Sequence, residues 1–159
     1  SEGQENVVHA LTYFKAKNRH HYTARCLLTL TSALLKNENF TSAKKHLEEL
    51  EKIIDDTQSP YIQYHYQLYN FDYSILTNKI DESKLILDHL QSLVPSPSLS
   101  LQRSYLQRKM IYYEKSNQYK AAHLASKKLR DIELKLLNIG KARVINNLQS
   151  KFNEAENEK

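Results

Sequence analysis

Apolar residues recur along this chain at intervals of three and four, in stretches closed by short polar turns. Leu27, Leu30 and Leu34 form one such stripe. Ala43, Leu47 and Leu50 form a second, Tyr66, Tyr69 and Tyr73 a third, and Ser83, Leu87 and Leu90 a fourth. This spacing stacks side chains on one side of a helix of 3.6-residue period. It predicts helices over residues 4–17, 20–37, 41–56, 60–78, 81–94, 98–117, 119–137 and 139–156. The breakers have local physical reasons. Asn37-Glu38-Asn39 precedes Thr41, an expected N-cap, and Ser59 caps a helix whose first residue is Pro60. Asp81 is placed to cap the helix after Asn78-Lys79-Ile80. Pro95-Ser96-Pro97-Ser98 ends one helix and opens the next. No strand-like alternation persists, so the expected class is all-α.

The stripes also repeat. Phe40, Ile80 and Tyr119 each close a turn, at spacings of 40 and 39 residues. A small residue follows three positions later, as Ala43, Ser83 and Ala122; Leu50, Leu90 and Leu129 come seven positions after those. One period earlier, Gly3, Val7 and Ala10 fill the same slots, so the chain is expected to begin inside the second helix of a truncated repeat. Two antiparallel helices cross closely where a small residue lets their backbones approach, and larger apolar residues fill the space on either side. A hairpin with one apolar face cannot bury it alone, so hairpins stack.

This pattern resembles the tetratricopeptide repeat (TPR). The resemblance rests on Phe40 with Ala43, Ile80 with Ser83, Tyr119 with Ala122, Pro95 at the end of a second helix, and first-helix positions Leu27, Leu30, Leu34, Leu106 and Tyr113. It departs from the family in period and in the usual first-helix glycine, replaced here by Thr31, Phe71 and Met110. It implies a right-handed superhelix of antiparallel hairpins. Residues 1–137 would form the repeat domain (a partial repeat over 1–17, then repeats over about 20–57, 60–95 and 98–137), and 138–159 a C-terminal exit or capping helix. The tail, with Leu148-Gln149-Ser150-Lys151-Phe152-Asn153-Glu154, is similar to the exit helix of bacterial membrane-anchored signalling proteins, whose outputs are histidine kinases, diguanylate cyclases or helix-turn-helix regulators. Ile132, Leu136, Ile139, Ile145, Leu148, Phe152 and Ala155 are expected to share its buried face, with Gly140 marking a bend.

The family's inward-facing slots map onto Arg25, Leu28, Ser32 and Leu35 in the first full repeat, His65, Leu68, Asp72 and Ile75 in the second, and Ser104, Gln107, Ile111 and Glu114 in the third. By resemblance these twelve line a concave groove for an extended peptide or a helix. They lack the row of Lys and Asn that would clamp a free C-terminal carboxylate.

Composition narrows the chemistry. With 2 glycines in 159 residues, no phosphate-cradling loop is expected. Cys26, the only cysteine, excludes an intrachain disulfide, and its leucine neighbours suggest a buried, inert thiol. His20, His21 and Cys26 fall short of the four ligands of a structural metal site, so no metal, cofactor or catalytic residue is expected. The 11 tyrosines, five of them in residues 61–73, either fill inter-helix space or line a groove. Charge is uneven: residues 98–159 hold 13 basic and 6 acidic groups, a local balance of +7. A solvated helix face accounts for this; nucleic-acid binding through Lys127, Lys128, Arg130, Lys135, Lys141, Arg143 and Lys151 lacks a recognised motif and ranks third.

The expected function is therefore a non-catalytic protein- or peptide-interaction and sensory domain of a larger bacterial signalling or regulatory protein. A free-standing adaptor or secretion-type chaperone is the alternative. A homodimer through the exit helix stays open, and membrane contact is expected only through flanking segments, since no apolar run spans a bilayer. The start at Ser1 rather than Met reads as a piece of a longer protein. Resemblance favours the periplasm-facing side of an inner membrane, with the cytoplasm as alternative.

Overall fold

Residues 2–93 and 98–157 are described in a computed structural model. They form seven helices and no strand: α1 (Glu2–Ala16), α2 (His20–Lys36), α3 (Phe40–Thr57), α4 (Pro60–Leu76), α5 (Ile80–Leu93), α6 (Leu99–Lys115) and α7 (Tyr119–Asn157). None of the described helices is long and apolar enough to cross a membrane.

The turns are made alike despite the shortage of glycine. Asn18, Glu38, Asn78 and Asn117 each adopt positive φ, between 49° and 61°. Each follows a helix whose end is closed by two bonds: Glu38 N–H donates to Leu35 O and Asn39 N–H to Leu34 O, and the same pair recurs at Asn78-Lys79, Asn117-Gln118 and Asn18-Arg19. This is the Schellman closure, which needs a left-handed residue. Asparagine tolerates that conformation better than most L-residues, which explains three of the four. The carbonyls of Asn39, Lys79 and Gln118 then accept the first bonds of the next helices, from Ala43, Ser83 and Ala122 N–H at 3.0 Å. The same geometry thus ends one helix and starts its partner.

Three starts carry a side-chain cap. Asn39 accepts from Ser42 N–H, Ser59 from Ile62 N–H and Ser98 from Leu101 N–H. The cap expected at Thr41 is therefore Asn39, two residues earlier, because Phe40 is already helical. Asp81 likewise lies inside the first turn of α5 rather than capping it; there its charge opposes the positive end of the helix dipole. Pro95 lies outside the described residues.

Packing follows chain order. Each helix lies against the next, and α2 also lies beside α4 and α4 beside α6; among the described residues no other pair brings Cα atoms within 8 Å. The core is correspondingly divided. Leu27, Leu28, Leu47, Leu50 and Ile62 belong to one cluster, and Tyr64, Leu68, Phe71, Leu87, Leu90 and Tyr112 to another. The helix α4 supplies residues to both. Ala43, Ser83 and Ala122 are buried, and the Ser83 hydroxyl is satisfied by Lys79 O at 2.8 Å. Phe40 and Ile80 are half-buried, but Tyr119 is 67% exposed and donates to Asn117 Oδ1. Its expected place at a helix crossing is corrected: no helix beyond α7 lies over it among the described residues.

The break expected after residue 137 is absent, since α7 runs for 39 residues through Gly140. One glycine weakens a helix by about 1 kcal/mol but interrupts none of its hydrogen bonds. The single buried face expected for the exit helix is also corrected. Ile132 and Leu136 continue the stripe of Ala122, Ala125 and Leu129 and are half-buried, whereas Ile139, Ile145, Leu148 and Phe152 are exposed. The physical reason is length: α6 has 17 residues, so the second half of α7 has outrun it.

Candidate binding groove

The C-terminal turns of α2, α4 and α6 meet at one depression of about 380 Å³, lined by Ser32, Leu35, Lys36 and Glu38, by Tyr69, Asp72, Ile75 and Leu76, and by Arg108, Ile111 and Lys115. Their convergence follows from packing, since α4 lies beside both α2 and α6 and all three helices have 17 residues. Five of the twelve expected residues gather here: Ser32, Leu35, Asp72, Ile75 and Ile111. Leu35 and Ile75 are nearly covered and make the floor.

The other seven do not join them. Leu28 and Leu68 are buried in the two core clusters, because the face they occupy is the one on which neighbouring helices close; their expected groove role is corrected. Arg25 and Glu114 are exposed outside the depression. Ser104 donates to Ser100 O, and Gln107 is half-buried. His65 lies one to two turns before the groove, with its ring 4.0 Å from that of Tyr61 and its Nδ1 donating to Tyr61 O. Burial lowers the His65 pKa; that carbonyl acts against the shift, and Arg108 adds to it.

Arg108, absent from the expected set, organises the wall. Its Nε and Nη2 donate to the two Asp72 carboxylate oxygens at 3.0 and 2.6 Å, and its Nη1 donates to Ser104 O. The fork matches the carboxylate plane, so the pair fixes both side chains. One sequence signal pointed to it: Arg108 is four residues after Ser104 and three before Ile111, on the same helix face. With Asp72 answered by Arg108, Lys36, Glu38 and Lys115 supply the charge of the rim.

Tyrosine does both jobs that the sequence left open. Tyr64, Tyr105 and Tyr112 are core residues. The Tyr64 hydroxyl donates to Leu101 O at 2.7 Å, tying α4 to α6, and burial pushes its pKa up to about 12, against a smaller pull from Arg108. Tyr69 lines the groove. A second, open depression of about 860 Å³ lies at the α1–α2 turn, lined by Tyr13, Phe14, Lys17, Asn18, Arg19 and Tyr22, with Phe14 stacked on Tyr22 at 4.9 Å.

Other candidate chemistry disperses. His20 Nδ1 pairs with Asp56 at 3.0 Å, and His21 packs edge-on against Tyr22. Cys26 is half-buried, and burial raises its thiol pKa against the pull of Arg25. Among the described residues no three His, Cys, Asp or Glu side chains converge on one point.

Comparison with known proteins gives no match to this chain, whether to a family description, a curated sequence or a solved structure.

Proposed function

We propose that this chain is a non-catalytic protein- or peptide-binding and sensory module, a TPR-like right-handed superhelix within a larger bacterial signal-transduction or regulatory protein. The observation that carries the reading is the meeting of α2, α4 and α6 at one depression with an apolar floor and a charged rim. The like turns after α1, α2, α4 and α6 support the repeat. Leu35, Ile75 and Ile111 would take one apolar anchor of a peptide, and Lys36 and Lys115 would favour flanking carboxylates. A ligand bridging three helices would bias their relative tilt, and α7, rooted on α6, would carry that change onward.

Selection from a displayed random-peptide library tests this. Enriched peptides should share an apolar residue beside acidic ones and should lose at least tenfold in affinity, about 1.4 kcal/mol, on Ile111→Arg. Far-UV circular dichroism should show that variant folded. No enrichment, or peptides indifferent to Ile111→Arg, would refute the reading.

A further inference from the structure

We propose that the free half of α7 pairs antiparallel with the same segment of a second copy of this chain. Seven large apolar side chains emerge there: Ile139, 51% exposed, points to another side, and the other six are Leu134, Leu137, Val144, Ile145, Leu148 and Phe152, each between 52% and 63% exposed. At 100° per residue these six fall within one stripe about 100° wide, rotated roughly 130° from the face that α7 turns toward α6. The stripe begins where α7 is still anchored and runs toward its far end. It is thus a second apolar face on one helix, and nothing else in the described chain covers it.

Area favours a partner of the same kind. Each side chain leaves on the order of 100 Å² open, so two stripes facing each other would cover roughly 1,000 Å², the floor for a specific interface. One stripe, about 600 Å², is at the upper end of the largest apolar patch that a monomer commonly exposes. Orientation follows from charge. Lys141 is the one cation centred within the stripe. In a parallel pair in register it would meet its twin. Antiparallel, Leu137 lies opposite Phe152, Val144 opposite Ile145, and Lys141 opposite Leu148. There the lysine stem covers the leucine while its amine reaches water. Between Leu134 and Phe152 the charged residues are Lys135, Lys141, Arg143 and Lys151, with Glu133 and Glu154 flanking them, so binding to an anionic surface is the competing outcome that the test must read. This pairing is independent of the groove.

Sedimentation equilibrium of the whole chain, with cysteine cross-linking, tests the proposal. The chain should reach twice its 18.6 kDa mass with a dissociation constant in the micromolar range, roughly −8 kcal/mol. The double variant Ile145→Glu/Leu148→Glu should weaken pairing at least 100-fold while helicity is kept, since both side chains are exposed. On a Cys26→Ala background, a mixture of Lys141→Cys and Leu148→Cys chains should form the mixed disulfide. Leu148→Cys alone should not cross-link, because its copies would sit about 10 Å apart along the axis. A monomer at every concentration overturns the proposal, including one that binds anionic vesicles instead. So does a dimer that survives the glutamates, or ready cross-linking of Leu148→Cys to itself.

Discussion

Replacing Tyr64 by Phe separates a hydrogen bond from a titration at one buried position. The Tyr64 hydroxyl donates to Leu101 O at 2.7 Å, and its ring is 1% exposed. At neutral pH the phenylalanine variant should lose about 1 kcal/mol, the net worth of a neutral hydrogen bond. The balance changes in base. The folded phenol is held up to about 12 by burial, whereas the unfolded one titrates near 10. Between those values the unfolded chain gives up a proton that the folded chain keeps, so the folded state binds more protons and stability falls as pH rises. Near pH 11 that loss reaches about 1.4 kcal/mol for wild type, and the phenylalanine variant escapes it. The two stabilities should therefore cross between about pH 10 and 11, with the variant the more stable above the crossing. Urea unfolding followed by circular dichroism, for both proteins from about pH 7 to about pH 11, reads this directly. A difference that stays the same across the whole range would refute the link between burial and titration.

The Asp72–Arg108 fork, with side chains 21% and 18% exposed, should show a coupling of about 1–2 kcal/mol in a double-mutant cycle of Asp72→Ala and Arg108→Ala, read by urea unfolding. That value lies between exposed and fully buried pairs. Ala43→Leu should overpack the α2–α3 crossing, where Ala43 is fully covered, and cost about 1–3 kcal/mol, seen as a lower melting temperature. Gly140→Ala should stabilise the free half of α7 by about 0.5–1 kcal/mol, because an added Cβ meets nothing within 4 Å; slower amide exchange around residue 140 checks it.

The helices were legible because their period is written in leucine and tyrosine. Ala43, Ser83 and Ala122 were legible as buried positions, since a small residue within an apolar stripe is expected where a second backbone comes close, and all three are buried. Tyr119 fills the slot of Phe40 and Ile80 in sequence but not in space: what covers a side chain is the neighbouring helix, and repeat position alone does not say whether the described residues supply one. Leu28 and Leu68 failed as groove residues for a related reason, because inward-facing slots divide between those that touch the next helix and those that reach past it. Arg108 shares a helix face with Ser104 and Ile111, but that local spacing does not give its partner, which lies 36 residues away. On α7, Ile139 and Ile145 are six residues apart, which is 240° around a helix; apolar spacing alone joined two different faces into one.

The middle helix carries a burden that neither end shares. Ile62 and Tyr64, two residues apart on α4, look into different clusters. Damage at the first or last helix is a local fray, whereas loosening α4 strips one wall from each half of the molecule at once. It serves as the keystone of the span, and whatever tightens or slackens it reaches both abutments together.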